Sequence, residues 1–382
     1  MPPVKILICG DVEGRLGALY TRVEAVNKTH GPFSCLFAVG NFFGDGLSDT
    51  FKLSGETEEG PTIDIAEYMS GALKAPLRTY VIGGNNSGKS VLWEKLTGEI
   101  AENIIFLGRS GVSTIQGLQV AFLSGRYDRS RVGGKGDEKQ EHYAHSEYSG
   151  FYERKDVQDL VKIAETPNFG GVDLLLTNEW PVGLFTNMSP SSIPESVPQP
   201  PSFTSPAVSL LAACLKPRYH FAGLQGVFYQ RPPYQNPSNN KSHVTRFISL
   251  ASVKSSDPKN KYLHALNLSP MRELDKATLN APVQGSTPFP FETFLLTPEN
   301  PDQSTREQPE LKPPAAKRQR TDDIAQQQQQ QHEQTPGGKR GAPLPSQQQA
   351  FKQQAQEGGG AYGHQWFDMS GSGGQGRGGR GG

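Results

Sequence analysis

Cysteine is nearly absent from this 382-residue chain, and the three present, Cys9, Cys35 and Cys214, are odd in number and far apart. That excludes a disulfide framework and a zinc knuckle. Cys9 and Cys35 sit in apolar strand-like runs and Cys214 in a helical one, where a thiol acts as a small hydrophobe. Charge of one sign is not in excess either: 38 basic and 38 acidic residues give a formal net charge of zero. Attraction of the whole chain to nucleic acid is thereby excluded, and only local patches can supply it. No apolar run approaches the ~18 residues of a membrane helix, and the opening Met-Pro-Pro-Val-Lys starts no signal-peptide core. The expectation is a soluble, intracellular protein, monomeric and without membrane contact.

Aliphatic clusters are also missing after residue 285, where Pro, Gly and Gln dominate. Such a segment cannot bury enough apolar surface to offset its chain entropy. Two parts follow: a folded domain over 1–285, large enough for one core, and a disordered tail over 286–382. In the tail, Lys317, Arg318 and Arg320 form a basic cluster of the nuclear-import type, equally readable as solvated linker charge. Arg377 and Arg380 lie in a minimal Arg-Gly-Gly element, which binds RNA loosely through phosphates and base stacking. The glutamine runs carry no chemistry of their own.

Within 1–285, apolar runs at 4–9, 34–39 and 78–82 read as buried strands, with helices expected over 14–28, around 64–73 and over 87–96. Strands alternating with helices imply a mainly parallel sheet covered on both faces. Strands at 103–107, 112–116 and 118–124 are then joined by tight turns. A helix at 153–165 leads into a strand at 172–177. A Ser/Pro-rich stretch over 189–206 reads as a mobile loop, followed by a helix at 207–215. Strands at 218–222, 245–253 and 262–268 close the domain, with 227–229 as a further short one. This hairpin-rich second half fits an α/β fold of two packed mixed sheets between helices better than one Rossmann sheet.

Four strands end in a polar cluster: Gly10-Asp11-Val12-Glu13, Gly40-Asn41, Gly84-Asn85-Asn86 and Thr177-Asn178-Glu179. Loops at the C-terminal ends of strands converge on one crevice, where sites form. Asp and Asn also cap the helices that follow, which is the plainer reading of any single position. Arg15, Arg126 and Arg218 fall near the expected crevice mouth. A competing element is Gly83-Gly84-Asn85-Asn86-Ser87-Gly88-Lys89-Ser90, which satisfies the phosphate-cradling P-loop pattern. No later strand ends in the Asp that such proteins use to hold Mg²⁺.

Those strand-end motifs resemble the calcineurin-like metallophosphoesterases, and more closely the lariat debranching enzymes and the CwfJ family of splicing factors. The resemblance spans about residues 4–271. It is carried by Gly10-Asp11-Val12-Glu13-Gly14, Val39-Gly40-Asn41-Phe42-Phe43-Gly44, Gly84-Asn85-Asn86, Asn178-Glu179-Trp180-Pro181 and Lys216-Pro217-Arg218-Tyr219-His220-Phe221-Ala222. It implies a four-layer sandwich, two mixed β-sheets flanked by helices, and a role in nuclear RNA processing with spliceosomal or lariat-debranching proteins and RNA as partners. It also implies two further C-terminal domains, which nothing after Met271 resembles.

By that resemblance, each histidine of the active family is replaced, by Glu13, Asn86, Asn178, Leu224 and Gly226. Asn41 occupies the bridging-carboxylate position. Asp11 and Asn85 alone keep ligand-type residues. An amide cannot replace a bridging carboxylate without large loss of affinity. The expectation is therefore no catalytic residue and no cofactor. The alternative is a residual metal-dependent phosphodiesterase or nuclease, with one weakly held Mg²⁺ or Mn²⁺ on the vestigial set Asp11, Glu13, Asn41 and Asn85. Asn86, Asn178 and His220 are expected to line the crevice, His220 as a structural ring.

Overall fold

The computed structural model describes residues 2–43, 65–83, 98–128, 150–237, 242–253 and 255–296. The expected helix over 87–96, the P-loop-like stretch 84–90 with Asn85 and Asn86, and the tail residues Lys317, Arg318, Arg320, Arg377 and Arg380 lie outside them.

The first half holds β1 (Val4–Cys9), α1 (Leu16–His30), β2 (Cys35–Ala38), α2 (Ile65–Met69), β3 (Thr79–Val81), β4 (Gly98–Ala101) and β5 (Ile104–Phe106). The second holds β6 (Ser110–Ile115), β7 (Leu118–Leu123), α3 (Arg154–Ala164), β8 (Leu174–Thr177), β9 (Trp180–Pro181), β10 (Thr204–Ser205), α4 (Pro206–Leu215) and β11 (Tyr219–Ala222). It continues through β12 (Tyr229–Gln230), β13 (Tyr234–Gln235), β14 (Val244–Ser249), β15 (Leu263–Leu268), α5 (Lys276–Leu279) and α6 (Glu292–Leu296). One sheet runs β15-β1-β2-β3-β5-β4 and the other β12-β14-β11-β8-β7-β6, with β13 also on β14. In each, four central strands are parallel and the outer ones antiparallel.

Side-chain alternation sorts these apolar strands into layers. Ile6 and Ile8 of β1 pack with Phe37 of β2, Phe122 of β7, Leu174 of β8 and Phe221 of β11 between the sheets. Leu7 and Cys9 turn the other way, onto Leu19 and Val23 of α1. On the far side, Ala121 and Leu175 face α3 and α4 through Leu160 and Leu211. The result is helix, sheet, sheet, helix: the four-layer α/β sandwich. Apolar residues on both strand faces gave near-continuous runs in the sequence, as covered parallel strands do.

Local chemistry fixes the helix ends. Asn27 closes α1: its carbonyl accepts the Gly31 N–H at 2.9 Å and its Oδ1 accepts the Phe33 N–H at 2.9 Å. Glu153 and Asp156 form a reciprocal capping box on α3. Ser205 caps α4 by accepting the Val208 N–H at 3.2 Å, with Pro206 at the first helical position. Nearly all of α4 is buried, which suits a helix apolar on every face.

The structure departs from the sequence reading in three places. The segment 189–206 is held rather than a free loop: a short 3₁₀ turn, Pro190–Ser192, is followed by β10, which pairs in parallel with β9. Strand β4 was not expected; among the described residues it pairs with β5 alone, and Glu99 and Glu102 broke the apolar pattern that marks buried strands. Packing also continues past residue 285, where Phe289, Phe291 and Phe294 are buried in the core beneath α4.

Candidate functional site

Strands β1, β2, β3, β7, β8 and β11 point their C-terminal ends the same way, and the residues that follow them meet. Asp11, after β1, is buried at 3% exposure. Its Oδ1 accepts the Asn41 N–H at 2.7 Å and its Oδ2 accepts the Leu224 N–H at 2.9 Å. One carboxylate thus ties the β1, β2 and β11 loops together. Burial pushes its carboxyl up to about 6; the two amides pull it down and Glu13 nearby pushes it further up.

Asn178, after β8, is the second centre. Its Oδ1 accepts the Gly40 N–H at 3.0 Å; its Nδ2 donates to the carbonyls of Gly83 and, at 3.3 Å, Gly125. Its own carbonyl accepts the Gly223 N–H at 3.1 Å. The ends of β2, β3, β7, β8 and β11 are therefore stitched through one amide side chain and its backbone. Two glycines make the approach possible. Gly40 has φ +78°, and a Cβ there would overlap Asp11 Oδ1; a Cβ on Gly223 would sit 2.9 Å from the Gly40 Cα.

The expected site residues divide accordingly. Asp11, Glu13, Asn41 and Asn178 do converge; Asn41 meets the group through backbone, its N–H on Asp11 and its carbonyl on the Glu13 N–H at 2.8 Å. His220 does not line the crevice. β11 turns it away from the inter-sheet space, fully buried, with Nε2 2.8 Å from Thr177 Oγ1 and its edge on Phe247 at 5.1 Å. Thr177 Oγ1 donates to the Glu179 carbonyl at 2.8 Å, so it accepts from His220 Nε2–H. Burial lowers that imidazole to about 3, and it stays neutral. Arg218 is at the wrong end of the sheet. It precedes β11 and pairs with Asp173, at the start of β8, at 3.2 Å.

Three residues escaped the sequence reading. Glu179 is buried, its Oε2 accepting the Tyr127 N–H at 2.7 Å and the Tyr152 O–H at 3.2 Å, and burial pushes its carboxyl up to about 8. Tyr152 in turn meets Ser205. Gln225 stands between the two lost histidine positions and holds the 202–203 backbone, Oε1 accepting from Ser202 N at 3.1 Å and Nε2 donating to Phe203 O at 2.8 Å. The run Asn178-Glu179 was visible, but nothing local tells a crevice acid from a buried one.

This donor set does not fit a dinuclear centre. Two cations ~3.5–4 Å apart need a shared anionic bridge. By the resemblance the bridge position is an amide; in the structure both Asp11 oxygens accept backbone N–H groups and Asn178 is committed to protein donors and acceptors. Among the described residues no three His, Cys, Asp or Glu side chains gather as a metal-holding group.

Two mixed sheets face to face between helices, with the strand-end crevice, define a metallophosphoesterase-like domain. Among solved structures, a dimetal phosphatase from Danio rerio is similar at a TM-score of 0.38 and 10% identity, covering 70% of this chain and 93% of that one. A purple acid phosphatase from yellow lupin gives 0.33 and 13%, covering 65% and 43%. These scores are low, and the fold assignment rests on sheet order and layering. No family model matches the chain. Sequence relatives are much nearer. CWF19-like protein 1 of Pongo abelii is 40% identical over 286 residues, 72% of this chain and 46% of the relative. The Homo sapiens protein of that name is 39% identical over 286 residues, again 72% and 46%. Zinc finger CCCH domain-containing protein 64 of Arabidopsis thaliana is 38% identical over 292 residues, 75% and 44%. Over this aligned region the homologues of the chain are the CWF19-like proteins, of the CwfJ family. The chain spans about half the length of these relatives.

Proposed function

We propose that this domain is a non-catalytic metallophosphoesterase-like module that acts by binding, in pre-mRNA splicing or intron-lariat RNA turnover within the nucleus. The observation that carries the first half is the occupation of Asp11 and Asn178. The side chains that would face metal are spent on backbone amides and carbonyls, and those hydrogen bonds hold the crevice loops together. The CWF19-like relatives support the second half, and spliceosomal or debranching proteins and lariat RNA are the partners it implies. The basic cluster at Lys317, Arg318 and Arg320 suits nuclear import. Among the described residues no helix is long and apolar enough to cross a membrane.

The test is the metal content of the purified chain after incubation with Mn²⁺, Zn²⁺ and Fe²⁺ and desalting. Near-zero metal, with no cleavage of a phosphodiester substrate, is the expected result. Two equivalents per chain, with Mn²⁺-dependent hydrolysis, would overturn the reading. Enrichment of branched intron RNA over linear RNA after crosslinking in cells tests the splicing half separately.

A further inference from the structure

Arg126 follows β7 and stands one residue from Gly125, whose carbonyl meets Asn178 at 3.3 Å. Its guanidinium lies over the Phe151 ring at 5.2 Å and the Phe203 ring at 5.9 Å. Three other partly buried arginines are held by side-chain or backbone acceptors. Arg109 bonds Asp156 at 2.7 Å, Arg218 bonds Asp173 at 3.2 Å, and Arg231 donates to three carbonyls and Thr287. Arg126 is only partly exposed, yet its Nε is buried with no acceptor. Among the described residues no carboxylate reaches it. Glu179, the acid whose field it feels, gives its Oε2 to Tyr127 and Tyr152 instead, and burial leaves that carboxyl largely protonated at neutral pH.

The surroundings hold this cation in place. The Arg126 N–H donates to Gly150 O at 2.9 Å and its carbonyl accepts from Tyr152 N at 3.2 Å, which fixes Phe151 beside it. That approach needs glycine at 125, where φ is +93° and a Cβ would come within 2.8 Å of Gly150 O. Phe203 is fixed as well, its carbonyl accepting from Trp180 N at 3.0 Å and Gln225 Nε2 at 2.8 Å. A guanidinium clamped by aromatic rings, with a buried Nε lacking an acceptor and no carboxylate in reach among the described residues, has lost its side-chain entropy before any ligand arrives.

We infer that Arg126 is an anion anchor on the crevice lip, and that its ligand is a phosphodiester of single-stranded RNA. This rests on the binding reading of the crevice above. A planar guanidinium fork matches two phosphate oxygens, and half-buried Phe151 and Phe203 offer ring surface for a neighbouring base.

The test is fluorescence anisotropy of the full chain with a labelled oligouridylate across a salt series. Arg126→Ala is expected to weaken binding ~10-fold and to flatten the log K against log salt slope by about 0.7, the share of one single-strand phosphate. Arg126→Lys should keep the slope while losing affinity, because charge remains and the fork does not. Phe203→Ala should weaken binding at unchanged slope. If Arg126→Ala misfolds by circular dichroism, the Lys variant and the Phe203 variant decide. Wild-type binding unaltered by these variants overturns the anchor and leaves the binding-module reading standing. No RNA binding by the wild type, or tighter binding of an Asp/Glu-rich peptide at equal salt, also overturns it. Metal uptake with RNA cleavage would overturn the binding-module reading itself.

Discussion

Asn178 and Gly40 are 138 residues apart in the chain, and the Asn178 Oδ1 accepts the Gly40 N–H at 3.0 Å. That bond joins a loop of one sheet to a loop of the other, so the two halves of the sandwich are locked at the strand-end crevice. The same side chain donates to Gly83 and Gly125. An amide suits this place because it is donor and acceptor at once, which neither a carboxylate nor an aliphatic side chain is.

Asn178→Ala should therefore leave the Gly40 N–H and the Gly125 carbonyl unpaired in a buried place, the Gly83 carbonyl keeping only the Gly125 N–H at 3.2 Å, at a cost of about 2 kcal/mol or more in urea denaturation. Asn178→Asp is the sharper variant. At neutral pH its carboxylate would face the Gly83 and Gly125 carbonyls and should cost more than alanine, recovering as the acid is protonated. An Asp variant as stable as wild type at pH 7 would show that the hub is not bonded this way.

Glu179 supplies a pH test with a definite sign. Its folded carboxyl is raised from 4.5 to about 8. The folded state then binds the proton more tightly than the unfolded chain. Its contribution is fully present below about pH 4.5 and is lost as pH rises towards 8. Glu179→Gln keeps an acceptor for Tyr127 and Tyr152 and removes the titration. The stability difference should move in favour of Gln between those limits, by up to ~1.4 kcal/mol per pH unit. A flat difference curve would place the proton elsewhere.

Two glycines with similar backbone angles should respond differently to alanine. Gly40 has φ +78° and Gly226 has φ +69°. At Gly40 the new methyl would strike Asp11 Oδ1, whereas at Gly226 nothing lies within 4 Å. Gly226→Ala should cost about 1–2 kcal/mol of backbone strain. Gly40→Ala should cost clearly more and displace Asp11 from its two amides. Equal melting temperatures for the two variants would contradict the packing around Asp11.

Arg231 is a buried cation held by carbonyls rather than an acid: Leu184 O at 2.7 Å, Pro232 O at 2.8 Å and Thr186 O at 3.1 Å, with Thr287 Oγ1 at 2.7 Å. It fastens the 184–186 turn to the 287–291 segment. Arg231→Met should lower stability by about 3 kcal/mol through those unpaired carbonyls. Limited proteolysis should then cut first near residues 184–188 or 287. Protection equal to wild type would mean that the segment is held by Phe289 and Phe291 packing alone.

The sequence by itself determined the layers and the place of the site. Continuous apolar runs such as 4–9 and 34–39 can only be strands covered on both faces, and each ends in Gly-Asp or Gly-Asn where the chain must turn. What the tertiary structure decided was the partner of every polar group. Asp11 is satisfied by amides 30 and 213 residues away, and no local pattern records that. Arg126 and Arg218 look alike in sequence, yet one follows its strand at the crevice and the other precedes its strand at the opposite end. Two-residue strands such as β9 and β10 carry too little alternation to be seen. Hydrophobic periodicity is written within a few residues, whereas hydrogen bonding at the crevice depends on which distant loops the two sheets bring within 3 Å.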